Sequence, residues 1–191
     1  MSLDPLTRRW GLIGGAIMAF TGAIGMLVSF DERILISPIL SLGYLTLLLA
    51  PAIAGHMAAR GKVSVLEEPE HDVAQGAQKG LVAGLIAGVF AVVFMLAVNP
   101  FDLSEFFPNI NDRMFDMMTF DFGLGLGSVV LIVASALAGA AGGAIYGLDD
   151  EPREGVFRSA IWVILFSLFE LVVSDVIEVD AIVDLIYARG G

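Results

Sequence analysis

The sequence predicts an all-α, polytopic transmembrane helix bundle, and three observations lead there. Hydrophobic residues fill 57% of 191 positions. The mean hydropathy is +0.84, whereas water-soluble domains are only about 45–50% apolar. Five apolar segments, about 10–30, 38–59, 80–98, 122–148 and 156–174, are each long enough for the roughly 20 helical residues that cross a hydrocarbon layer of about 30 Å. They predict a single transmembrane domain over 1–191, closed by an amphipathic tail at 175–188.

The first span follows Arg8 and Arg9 and carries Gly11, Gly15, Ala19 and Ala23 at every fourth position. A cleaved signal peptide would begin in the same way, but the apolar run exceeds an h-region and no small-x-small site closes it. The turn FDERILIS (30–37) leads to the second span, where Ala50, Ala54 and Ala58 repeat the period and His56 nears the end. There an imidazole ring is read as capping the helix terminus or meeting headgroups rather than as a ligand.

The loop RGKVSVLEEPEHDVAQGAQKG (60–80) contains His71 within EEPEHDV (67–73). A Glu/His/Asp group can bind metal, yet beside Pro69 in an acidic loop it is read as a solvated run. The third span opens on GAQKGLVAGLIAG (76–88), with Gly76, Gly80, Gly84 and Gly88 on one helix face, and the fourth carries Ser135, Gly139, Gly143 and Gly147. Lipid tails are as apolar as Leu, so a bare helix face is useful only where another backbone comes close enough for dispersion contacts. Packing between helices of one chain is the reading adopted, and a homo-oligomer or pore seam is its alternative.

Between these spans lies the loop 99–125, rich in Phe and Met. Met114, Phe115, Met117, Met118 and Phe120 stand among charges there, as in a helix lying at the headgroup level. A helix capping a substrate path is the alternative. In the fifth span Glu170 aligns with Ser174 and Glu178 at helical spacing. A carboxylate centred in lipid costs about 2.5–3.5 kcal/mol, so Glu170 must face protein, water or a partner. It is read as a packing carboxylate rather than a proton or cation relay, because no second intramembrane charge accompanies it.

Repetition joins the spans in pairs. GLIGGAI (11–17) matches GLVAGLI (80–86) at offset 69, and APAIAG (50–55) matches ASALAG (134–139) at offset 84. Spans one and two therefore read as a helical hairpin duplicated, in parallel, as spans three and four. Basic residues resist translocation while acidic ones contribute little. Arg8, Arg9, Arg60, Lys62, Lys79, Arg153 and Arg158 fall on one side, and Arg33, Arg113 and Arg189 on the other. The first group marks the cytoplasm, giving N-in/C-out across the cell's inner membrane.

Charge and composition also exclude functions. The formal charge is −11, and the acidic outer face repels nucleic acid, for which no basic patch interleaved with aromatics offers a site. With no cysteine, thiol nucleophiles, Cys-metal sites and disulfides are ruled out. There is no H-E-x-x-H, and Ser128 in GLGS (125–128) has no histidine at its depth to activate it. The chain reads as non-enzymatic, without cofactor or metal, with the lipid bilayer as its first partner.

The arginine-headed first span followed by FDERILI (30–36), and later FDMMTFDFG (115–123) before a glycine-rich span, resembles the extended N-terminal membrane region of some bacterial branched-chain amino acid ABC-transporter permeases. The resemblance implies a component of an amino-acid permease with other permease or ATPase subunits as partners. The E-A-A-x-x-x-G coupling loop usual in such permeases is absent from 60–80, and no binding residue carries over. Two further readings stand beside it: a stand-alone structural or assembly subunit packing through glycine faces, and ion or proton conduction involving Glu170.

The basic asymmetry makes the orientation testable in a chain free of native thiols. Cysteines placed at Ser64 and Glu154 should resist an impermeant reagent applied outside intact cells, and those at Ser104 and Asp180 should react. Labelling at Ser64 from outside reverses the assignment.

Overall fold

The computed structural model describes residues 4–31, 34–36, 40–61, 72–101 and 107–148, and beyond them 151–156, 158, 159 and 162, with only the backbone described at 34–36 and 40. The chain divides into two compact units, Met1–Leu148 and Asp149–Gly191. The first is helical apart from one short strand pair, and three of its helices are long and apolar enough to cross a membrane.

Helix α1 (Pro5–Ala23) starts where Asp4 accepts a bond from the Leu6 N–H at 3.3 Å, with Pro5 at the first helical position, where its missing N–H costs nothing. The first apolar run, expected to be one span over 10–30, is not one helix. Gly25 adopts φ +78 and breaks the run, a left-handed conformation that costs glycine nothing sterically. A four-residue helix, α2 (Met26–Ser29), follows. Strands β1 (Ile34–Ile36) and β2 (Leu40–Ser41) then pair antiparallel, Ile34 opposite Ser41. The Ser41 hydroxyl caps α3 (Leu42–Arg60) by accepting from the Tyr44 N–H at 3.3 Å.

Helix α4 (Val73–Val98) begins before the expected boundary at 80, because the Asp72 carboxylate accepts from the Ala74 and Gln75 N–H groups at 2.8 and 3.1 Å. Such a cap satisfies donors that the first turn would otherwise orphan. Gly76 therefore belongs to the helix. Helix α5 (Asp112–Met118) is capped by Asn111, and α6 (Gly123–Tyr146) follows it. In the second unit, residues 151–156 are helical and Arg158 pairs with Glu154 at 2.5 Å. The expected fifth span, apart from 156, 158, 159 and 162, lies outside the described residues, as does the tail at 175–188.

Helix directions follow from close contacts. A Cβ built on Gly11 would meet Ala83 and Ile86, and one on Gly15 would meet Ala87 and Phe90, so α1 and α4 run parallel. Gly14 faces Ala50 and Ala54 while Gly43 abuts the Leu27 carbonyl, which makes α1 and α3 antiparallel. Helices α3 and α4 pack together, with α1 and α6 each lying against both. Small residues fill the interior of this arrangement: Ala50, Ala54, Ala58, Ala83, Ala87 and Ala91 are all buried. Leu81, Leu85, Val89 and Val93 on α4, and Leu126, Val129, Val133 and Leu137 on α6, are exposed. Those apolar stripes are the surfaces a bilayer would solvate.

The α5 end differs from the interfacial anchor expected of the Met-rich loop. Met114, Met117 and Met118 are fully buried within the chain, so α5 plugs the end of the bundle instead of lying on lipid. The turn that follows it carries Phe120 at φ 55 and Asp121 at φ 60. For a bulky residue such as Phe this is an outlier that needs support from its surroundings. Stacking on Tyr44, with ring centroids 5.0 Å apart, supplies it.

Two glycines on α6 separate space from strain. A Cβ on Gly125 meets nothing within 4 Å, whereas one on Gly127 would fall 2.3 Å from Thr119 Cβ. Gly125→Ala should change stability by no more than about 0.5 kcal/mol. Gly127→Ala should cost about 1–3 kcal/mol through overpacking. Unfolding titrations in mixed micelles would measure both, and equal effects would contradict the packing described.

Candidate functional site

Two features stand out in the first unit: the seam between α4 and α6, and a polar cluster around α5. The seam is built from backbone. Cβ atoms placed on Gly76, Gly80 and Gly84 would lie 2.4, 2.2 and 2.1 Å from the carbonyl oxygens of Gly143, Gly139 and Ser135. Gly88 faces Ile132 and Ser135, and a Cβ on Gly147 would meet Val73 and Asp72. Ascending numbers on α4 meet descending numbers on α6, so the helices are antiparallel. Contacts are reciprocal: Cβ atoms on Gly139 and Gly143 would lie 2.3 and 2.1 Å from the oxygens of Gly80 and Gly76.

At those separations no side chain fits, and a glycine hydrogen occupies the place of each absent Cβ. It points at a carbonyl of the neighbouring helix, the arrangement of a Cα–H···O contact worth about 0.5–1 kcal/mol. Helix α3 joins at the same level. A Cβ on Gly55 would lie 2.0 Å from the Gly139 oxygen, and one on Gly142 would lie 1.9 Å from the Ala52 oxygen. Gly139 is thus approached by α3 and α4 together. Gly55 and Gly142 complete the seam without belonging to the period-four stripes, and Gly14 seats α1 against Ala50, Ala54 and Ala87. Their signal is adjacency, since Gly142 beside Gly143 gives α6 a second bare face.

Polar side chains within the helices are satisfied locally. Thr21 donates to the Met18 carbonyl at 3.0 Å and Thr46 to the Leu42 carbonyl at 2.8 Å. Ser135, fully buried, has its hydroxyl 4.0 Å from Met18 Sδ. Each pairing avoids exposing an unsatisfied group to hydrocarbon. His56, expected to cap the helix terminus or meet headgroups, reaches α6. Its Nδ1 lies 3.3 Å from the Gly142 oxygen, and its ring meets Tyr146 edge-on at 5.5 Å.

The cluster at the α5 end gathers residues that no sequence spacing links. The Arg113 guanidinium donates to Asp31 and reaches Asp121 at 3.5 Å, while the Tyr44 hydroxyl donates to Asp121 at 3.0 Å. The Asp31 partner pushes Arg113 above the ordinary guanidinium range. One cation thereby ties the α2 turn, α5 and the turn before α6, and Tyr44 adds α3. Glu170, Ser174 and His71 lie outside the described residues. Among the described residues no group of three or more His, Asp or Glu side chains could hold a metal ion.

The fold and its seam define a helical membrane protein in which helix backbones pack directly on one another. Comparison of the chain with protein-family models, with curated proteins and with solved structures gives no match.

Gly84→Leu forces α4 and α6 apart and should cost about 3 kcal/mol by overpacking. Leu85→Ala, on an exposed position of the same helix, should cost about 0.5 kcal/mol or less. Detergent unfolding gives the energies, and native mass spectrometry gives the subunit number. Gly84→Leu that dissolved an oligomer while leaving the monomer's stability unchanged would place the seam between chains.

Proposed function

We propose that the chain is a five-span inner-membrane subunit, N-in/C-out and built on a duplicated hairpin, that acts as a rigid structural or assembly module. The observation carrying this reading is the backbone seam running from Gly76 to Gly88 along α4 and from Gly147 to Ile132 along α6. Moving a solute across a bilayer by alternating access requires helices with two alternative packings. A seam of matched glycines and carbonyls over four helical turns loses contacts at every turn when one helix slides or rocks. Its geometry favours one packing. The exposed Leu and Val stripes of α4 and α6 remain free to meet lipid or the helices of a membrane partner.

The motifs FDERILI and FDMMTFDFG support a second reading, a component of a branched-chain amino acid ABC permease. Reconstitution separates the two. Full-length chain in vesicles should leave permeability to protons and branched-chain amino acids unchanged. Amide exchange should stay slow throughout 76–88 and 132–147, with or without amino acid. Saturable uptake, or exchange in the seam that responds to amino acid, would overturn the structural reading in favour of the permease.

A further inference from the structure

Helices α1 and α4 run parallel and meet where Gly11 faces Ala83 and Ile86 and Gly15 faces Ala87 and Phe90. Arg8 precedes Gly11 by three residues, and Lys79 precedes Ala83 by four and Ile86 by seven. Residues at these spacings share a helix face. Arg8 and Lys79 therefore flank one groove between the two helices, within a turn of each other along its axis. Arg8 is exposed and Lys79 half-buried. Among the described residues neither side chain enters an ion pair or a hydrogen bond, in contrast to Arg113 and Arg158. Arg9, about 100° further round α1, faces away from α4.

The carboxylates that begin these two helices are engaged elsewhere. Asp4 accepts from the Leu6 N–H and, at 3.2 Å, from the Thr7 hydroxyl. Asp72 accepts from the Ala74 and Gln75 N–H groups, so each acid is folded onto the start of its own helix. Past the two cations the groove turns apolar. Leu12 stands four residues beyond Arg8 on α1, and Phe90 and Val93 stand eleven and fourteen beyond Lys79 on α4; all three are exposed. Long basic side chains lay their stems on apolar surface and hold their charge at the membrane interface, and basic pockets between membrane helices accept acidic headgroups. An excess of basic residues on one membrane face does not by itself require two of them to share a groove.

From the unpaired Arg8 and Lys79 at the head of the α1–α4 groove, and the exposed Leu12, Phe90 and Val93 along it, we infer a binding site for one phospholipid of net negative charge. Its phosphate lies between the guanidinium and ammonium groups, and an acyl chain follows the apolar residues. The site needs only that the bundle sit in a bilayer, so it holds for a structural subunit and for a permease component alike.

Full-length protein stripped of lipid in mild detergent, titrated with dioleoyl phosphatidylglycerol or dioleoyl phosphatidylcholine and read by native mass spectrometry, tests the site. The acyl chains are identical, so the difference reports the headgroup. One phosphatidylglycerol should bind about tenfold or more tightly than phosphatidylcholine. Arg8→Gln and Lys79→Gln should each weaken phosphatidylglycerol binding about fivefold and leave phosphatidylcholine binding unchanged. Arg9→Gln removes the same charge from another face and should change either affinity by less than about twofold. Excess inorganic phosphate at matched ionic strength should not displace the lipid. Equal affinity for the two lipids, a loss with Arg9→Gln as large as that with Arg8→Gln, or displacement by phosphate would overturn the site, and the wild-type chain decides the first and last of these even if a variant fails to fold.

Discussion

Three helix backbones meet at Gly139. Its carbonyl oxygen is the nearest atom to the Cβ that either Gly55 of α3 or Gly80 of α4 would carry, and its own α-carbon faces Gly84. No larger residue could stand at any of these positions without separating two helices at once. The bundle depends on this crowding because hydrophobic transfer contributes little to association inside lipid, where packing contacts and interhelical hydrogen bonds must hold helices together. Dispersion falls off within fractions of an ångström, so a bare face is effective only when its partner is equally bare. The matched stripes of α4 and α6 meet that condition over four turns, and the alanine faces of α3 and α4 extend it with one methyl group per turn.

The α5 end is held by different physics. Flexible thioethers fill the interior there, which suits methionine because its unbranched side chain adapts to irregular gaps. The polar layer above them is partly exposed: Arg113 and Asp121 side chains are 49% and 56% accessible, against 16% for Asp31. Exposed pairs of this kind contribute about 0–1 kcal/mol each. Their role is positional. Arg113 with Asp31 and Asp121, and Tyr44 stacked on Phe120, fix a turn whose left-handed residues would otherwise relax toward ordinary backbone.

What could be read from the sequence divides along the same line. A stripe of period four is a local pattern, so Gly76, Gly80, Gly84 and Gly88 mark a face of α4 whatever that face touches, and length with apolarity marks α3, α4 and α6 as membrane-capable. The burial of α5 was not legible. An amphipathic run of Met and Phe among carboxylates looks the same whether its apolar side meets lipid or a protein interior, and only the bare surfaces at Gly22 and Gly43 distinguish the two. The Asp31 and Arg113 pairing spans 82 residues and leaves no periodic trace. The interruption at Gly25 was equally hidden, since glycine is compatible with a membrane helix and only tertiary contact, here with Asn109, selects the left-handed conformation. The start of α4 had a visible signal in Asp72, a capping residue whose weight was lost among the surrounding acidic loop.

Rigidity and adaptability are therefore separated along the bundle axis, and the separation follows from side-chain size. Where every contact is backbone to backbone, displacement by a fraction of an ångström removes attraction or meets a carbonyl, leaving a single energy minimum. Where contacts are made by long unbranched side chains, several rotamers fill the same volume at similar energy. A membrane protein assembled in this way can keep the spacing of its helices fixed while the side chains at its α5 end repack. Strain at Phe120 and Asp121 is confined to that adaptable end, where the residues absorbing it, Tyr44 and Arg113, lie outside the glycine seam. A change at α5 would therefore reach α3 through Tyr44, α1 through Gly22 and α6 through Thr119 on Gly127, at the end of α6 away from its glycine contacts with α4.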